Sequence, residues 1–169
     1  MTELPVLNRS CGNCYECCVQ IAVEPLGKPA DEPCPHLAAG PNGACSVYAD
    51  RPQCCKQFTC AWLDGYLPES MKPSESGIVL EAGEIRWPKV LKLLSGFATA
   101  EQIERYAADL SDAATGGVLI GLACSDSEGA AWFGDPADLE ALATWLEQCE
   151  AEGGITSVYA DGETREITL

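Results

Sequence analysis

Nine of the 11 cysteines in this 169-residue chain fall between Cys11 and Cys60, and four of them sit within eight residues, CGNCYECC at 11–18. No other feature restricts the fold as much. Sulfurs crowded this closely along one backbone are poorly placed to pair with one another. The start, MTELPVLNRSC, carries Glu3 and no basic stretch ahead of an apolar run, so no secretory signal is expected. The longest uncharged apolar stretch, GGVLIGLAC at 116–124, is too short to span a bilayer. A cytoplasmic protein is the expectation. Thiols stay reduced there, and a dense cysteine pattern points to metal or catalysis before disulfides.

Around the cysteines the chain reads as two regions. Residues 1–64 are rich in turn formers, as in EPLGKPADEPCP and AAGPNGAC, and show little periodicity. Such a segment has little to fold around, and a bound metal would supply the missing core. Residues 65–169 carry ordinary signals. TAEQIERYAADLSDAA at 99–114 places Ile103, Tyr106, Ala107 and Leu110 on one helical face, and Thr99 with Gln102 forms a capping box. A second helix is predicted over 136–151, capped by Asp135, with Leu139, Leu142, Ala143, Leu146 and Cys149 as its apolar stripe and Gly153-Gly154 as its end. Strands are predicted at 77–83, 90–94, 116–124 and 130–134, with a hairpin of 157–160 and 164–169 across Asp161-Gly162. The expected fold class is α+β: a loop-rich N-terminal metal-binding module (1–64) packed on a small, mainly antiparallel sheet with two helices (65–169).

Charge narrows the partners. The net charge is −16; residues 1–64 hold 4 basic and 7 acidic side chains, residues 65–169 hold 6 and 19. A chain that binds nucleic acid needs a basic face, because phosphate contacts carry most of the affinity. Nucleic acid and anionic membrane surfaces are therefore excluded as expected partners. The acidic second region reads as a solvated surface, or as a docking face for a basic protein partner.

Cys11, Cys14 and Cys17 recur every third residue with Cys18 adjacent; Cys34, Cys45, Cys54, Cys55 and Cys60 follow. A CxxC turn aims two thiolates at one ion. A third cysteine at the same step exceeds the needs of a mononuclear zinc site and suits a polynuclear cluster. The stretch from Cys11 to Trp62 reads CGNCYECC, then CPHL at 34–37, then CSVYADRPQCCKQFTC at 45–60. In this it resembles the CxxCxxCC (YkgJ-like) cysteine-cluster family, whose members are regarded as zinc- or iron-chelating. The resemblance implies metal ligation by Cys11, Cys14, Cys17, Cys18, Cys34, Cys45, Cys55 and Cys60, with Tyr48, Arg51, Pro52 and Phe58 at framework positions. Cys54 falls outside the pattern, as a spare thiol or an alternative ligand.

The cofactor expected is a 4Fe–4S iron–sulfur cluster or zinc; softness does not separate them, since thiolate suits both. Arg51 is expected to aim N–H donors at the sulfurs, and Tyr48 and Phe58 to wall the site off from water. His36, the one histidine, is a ligand or a turn residue. Trp62 and Tyr66 are expected to pack at the junction between the regions, and Cys124 and Cys149 in the core. The function read from these features is metal binding with a structural or electron-transfer role. Two alternatives stand beside it. Flagellin lysine methylases are similar in their cysteine cluster, which makes a protein-modifying enzyme one alternative, although no glycine-rich S-adenosylmethionine loop is found and His36 is the sole imidazole base. A zinc or copper buffer is the other.

Overall fold

The computed structural model of the chain describes residues 9–38, 45–86, 90–151, 155–160 and 163–168. It divides into two compact units, the first ending at Val79 and the second beginning at Leu80. The division thus falls after Val79 rather than after Asp64. The reason lies in what residues 65–79 bond to. The Arg9 guanidinium lies over the Trp62 ring at 4.6 Å, and its Nη1 donates to the carbonyls of Trp62 and Leu67 at 2.6 and 2.8 Å. Gln20 Nε2 donates to the Gly77 carbonyl at 2.8 Å. Both contacts tie the 65–79 stretch back to the front of the chain.

The first unit holds three short helices, α1 (Glu16–Gln20), α2 (Gln53–Gln57) and α3 (Pro73–Ser76), linked by turns and 3-10 segments. None is long enough to be stable by itself. Its buried apolar side chains are Cys60, Ala61, Trp62, Leu67, Met71, Ile78 and Val79. All lie at or after residue 60. Among the described residues from 9 to 59, the one that is buried is a lysine, Lys28. A stretch of this length without an apolar interior must be held by something other than the hydrophobic effect.

The second unit is a six-stranded sheet: β1 (Leu80–Arg86), β2 (Val90–Ala98), β3 (Val118–Cys124), β4 (Ala130–Phe133), β5 (Ile155–Ala160) and β6 (Glu163–Thr168). The spatial order is β4-β3-β2-β1-β5-β6. Every neighbouring pair is antiparallel except β2 and β3, which run parallel with Leu93 beside Leu119 and Leu94 beside Ile120. A parallel pair needs a crossover; α4 (Ala100–Ala113) provides it, and α5 (Pro136–Ala151) leads from β4 to β5. The α+β class with a mainly antiparallel sheet and two long helices is therefore what forms.

Each helix starts where its residues dictate. Thr99 Oγ1 accepts from the Gln102 backbone N–H at 3.2 Å while Gln102 Oε1 accepts from the Thr99 N–H at 2.8 Å, the reciprocal box that satisfies two free donors. In α5 the buried face carries Leu142, packed with Leu91, Leu93 and Leu119, and flanked by Leu139, Trp145 and Leu146. Ala143, assigned to that stripe from the sequence, is exposed instead. Ala143 lies about 100° round the helix from Leu142, at the edge of the buried face, whereas Trp145 lies about 60° away on its other side and packs on the cluster. The side chain of Cys149 and the Gly153-Gly154 stop lie outside what is described. On the other face of the strands Leu94, Ile120 and Leu122 are fully buried, so β3 reads as a continuous apolar run rather than an alternating one.

Strand ends shift for local reasons. β1 begins at Leu80 and not at 77, since Gly77 closes α3 with φ 71, a left-handed conformation that favours glycine. β2 continues through Ser95 and Gly96 to Ala98, stopping only where Thr99 opens α4. Among the described residues no helix is long and apolar enough to cross a membrane.

Candidate metal centre

The thiols reach one another through a series of tight turns in the first unit. Gly12, at φ 54, bends the chain so that the Cys14 N–H donates to the Cys11 carbonyl at 2.8 Å. A Cβ at Gly12 would meet no neighbour, so the backbone angle and not space is what calls for glycine. The Cys18 N–H donates to Tyr15 at 2.8 Å, starting α1, which carries Cys17 and Cys18. The Cys34 N–H then donates to the Cys18 carbonyl at 2.9 Å and brings the second stretch alongside. Leu37 bridges to Cys45, and the Tyr48 N–H donates to the Cys45 carbonyl at 3.2 Å. Arg51 and Pro52 lead into α2 with Cys54 and Cys55; Cys60 follows.

Electrostatics shows which thiols are neighbours. The Cys17 thiol donates to the Cys18 sulfur; that bond, helped by the charges of Lys28 and Arg51, brings Cys18 down to about 6 against the opposing effect of burial. The same bond, with burial and the neighbouring Cys18, Cys11 and Cys14, pushes Cys17 far up. Burial raises Cys11, with Cys14 and Cys18 adding to it and Arg51 opposing. Burial also raises Cys60, which feels Cys11 and Cys14. Cys55 is pushed up to about 11 by burial and by Cys54, with Cys18 and Cys34 contributing. Cys11, Cys14, Cys17, Cys18, Cys34, Cys55 and Cys60 thus share one neighbourhood, and Cys54 belongs to it. Cys45 is tied in through its backbone.

All ten described cysteines are free thiols. Cys60 is buried, Cys54 exposed and the others half-buried. Among the described residues no group of three or more His, Cys, Asp or Glu side chains is closed into a ready-made metal site. The raised thiols owe their lowered acidity first to burial, or at Cys17 to its bond to Cys18, and the charges of neighbouring sulfurs add to it.

The framework residues sort differently from the sequence expectation. Arg51 stacks its guanidinium on the Tyr48 ring at 4.0 Å and faces Cys11 and Cys18, as a charge partner would. Its Nε is buried and has no hydrogen-bond partner. Tyr48 is 57% exposed and does not wall off the thiols; it serves as a platform for Arg51. Phe58 is half-buried. His36 contributes its carbonyl, which accepts from the Ser46 N–H and Oγ at 2.9 and 3.1 Å. Trp62 is buried within the first unit, with Arg9 on its ring at 4.6 Å and Lys72 at 5.6 Å. Cys124 ends β3, half-buried. Lys28 is the residue that sequence reasoning passed over: it follows no motif, and no spacing rule singles it out. No family model, no curated protein and no solved structure matches this chain.

Proposed function

We propose that the first unit is a thiolate metal centre, with Cys11, Cys14, Cys17, Cys18, Cys34, Cys45, Cys55 and Cys60 as its ligands. One observation carries this: from residue 9 to 59 no described apolar side chain is buried, yet thiols from four separate stretches of chain are drawn together. Coordination would replace the absent apolar interior, as it does in small units whose folding and metal binding are one event. The donors fit the group. Thiolates suit zinc or an iron–sulfur cluster, and the unpaired Arg51 Nε is a buried donor waiting for a negative charge. The resemblance of residues 11–62 to the CxxCxxCC cysteine-cluster family points the same way.

When bound, zinc would supply a structural crosslink and an iron–sulfur cluster an electron-transfer centre. Arg51, fixed on Tyr48, offsets thiolate charge. The acidic second unit offers a surface to a basic protein partner. Free, closely spaced thiols fit a reducing, cytoplasmic compartment. The test is anaerobic purification followed by measurement of iron, sulfide, zinc and visible absorbance. Bound metal at a fixed ratio is expected; a metal-free chain with a fully folded first unit refutes the proposal. A second function is favoured by the half-exposure of most of these thiols: an exchangeable zinc or copper(I) store. Rapid release to a chelator without unfolding would select it over the fixed centre.

A further inference from the structure

Lys28 is 4% exposed, which is rare for a lysine and costly for a charge. Its Nζ donates to the carbonyls of Val19, Ile21 and Pro29 at 2.8, 2.6 and 2.8 Å. Those three bonds use every donor an ammonium has. Val19 and Ile21 lie at the C-terminal end of α1, where helix carbonyls are left without partners and favour a cation. The Lys28 backbone is fixed as well: the Val23 N–H donates to the Lys28 carbonyl at 2.9 Å, and the Lys28 N–H to the Val23 carbonyl at 3.2 Å. The ammonium is therefore held in place at the end of the segment that bears Cys17 and Cys18.

Among the described residues no carboxylate forms an ion pair with it. Three neutral carbonyls satisfy its hydrogen bonds and bring no negative charge of their own. Val19, whose carbonyl it binds, adjoins Cys18 in the chain, which sets that charge beside the Cys17–Cys18 pair. A divalent ion in four thiolates carries a net charge of about −2, which a nearby fixed cation offsets.

We propose that Lys28 is a positioning residue of the thiolate centre, clamping the Cys17–Cys18 segment through its three carbonyl bonds and supplying the fixed positive charge that the metal-bound thiolates require. This rests on the metal-centre function proposed above. It explains why one lysine is buried where no described apolar side chain is.

The experiment uses the full chain, reduced and metal-free, titrated anaerobically with zinc in competition with a chelating dye. Lys28→Arg keeps the charge, Lys28→Gln keeps hydrogen-bond donors without it, and Lys28→Met keeps only the stem. Circular dichroism with saturating zinc monitors the fold of each. The expected result is a loss of zinc affinity of about tenfold or more in Lys28→Gln and Lys28→Met, with Lys28→Arg restoring it to within about threefold of the parent chain. A mere fold residue would not sort the variants by charge. Parent affinity in Lys28→Gln, equal losses in Lys28→Gln and Lys28→Arg, or a zinc-saturated Lys28→Gln chain that stays unfolded each overturn the proposal. Should the parent chain itself take up no zinc and no iron, the metal centre fails and Lys28's role with it; parent binding with an indifferent Lys28→Gln sinks the Lys28 role alone.

Discussion

Loading the thiols with zinc must expel protons, and the structure sets how many. At pH 7.5 the thiols of Cys11, Cys17, Cys55 and Cys60 keep their protons, because each is raised above the ordinary thiol value near 9. Cys18, at about 6, has already lost its own to the solvent and accepts a hydrogen bond from Cys17. A thiol must be deprotonated to coordinate. Saturation therefore releases at least four protons, one from each raised thiol and none from Cys18. Each released proton makes the overall binding constant fall about tenfold per unit drop in pH, so these four alone give about four orders of magnitude per pH unit. The assay is titration of the reduced, metal-free chain with zinc in weak buffer containing a pH indicator, repeated by calorimetry in two buffers of different ionisation enthalpy. Cys55→Ser should lower the count by one, while Cys18→Ser should weaken binding and leave the count unchanged. Fewer than four protons at saturation, or a lower count in Cys18→Ser, would refute the assignment of protons to these sulfurs.

The same acidities fix how the metal-free chain responds to alkali. A thiol raised in the folded state keeps a proton that the unfolded chain gives up near pH 9, so its contribution is full below that pH and is lost as pH rises through the folded values, to about 11 at Cys55; the partial structure that the first unit keeps without metal should be lost between pH 9 and 11, as followed by circular dichroism. Arg51→Met removes a cation that favours the Cys18 thiolate, and the pH midpoint for alkylation of Cys18, followed by peptide mapping, should rise above about 6; an unmoved midpoint contradicts the charge role of Arg51. Leu142→Ala opens a cavity among Leu91, Leu93 and Leu119 and should cost about 2–5 kcal/mol in denaturant unfolding of the second unit, whereas Ala143→Ser, on the exposed side, should change it by less than about 0.5 kcal/mol. Thr99→Ala breaks the capping box of α4 and should cost about 1 kcal/mol.

The second unit was largely legible because its determinants are local. The Thr99–Gln102 box and the 3.6-residue spacing of α4 need only neighbours in sequence, and both hold. The strands needed more. Ser95 and Gly96 look like punctuation, yet they continue β2, since pairing with β1 and β3 on both sides outweighs their weak strand preference. Ala143 was misassigned because it sits at the edge of the helical face, about 100° from Leu142, while the face centred on Leu142 extends the other way to Trp145. The division after Val79 depends on Arg9 and Gln20 reaching across more than 50 residues, which no window of sequence reveals.

The first unit inverts the usual relation between sequence and core. An apolar core announces itself by hydrophobic spacing; here the one buried residue among those described between 9 and 59 is a lysine, its ammonium held by three backbone carbonyls. Cysteine spacing made the sulfurs visible from the sequence. It did not reveal the charges set against them. Arg51 was found because it stands in the RP pair beside the cysteines; Lys28 was not, because its place depends on three carbonyls that come together only when the loop from Val23 to Pro29 closes. Both cations lower the cost of gathering thiolates, and both would do so before a metal arrives. That order matters for folding. In the metal-free chain the thiols of Cys11, Cys17, Cys55 and Cys60 keep their protons, the state that burial and the neighbouring sulfurs favour, and so can lie close without repelling. Metal then exchanges those protons for a shared positive centre, and the cysteine-bearing stretch gains the interior that its described side chains from 9 to 59 do not provide.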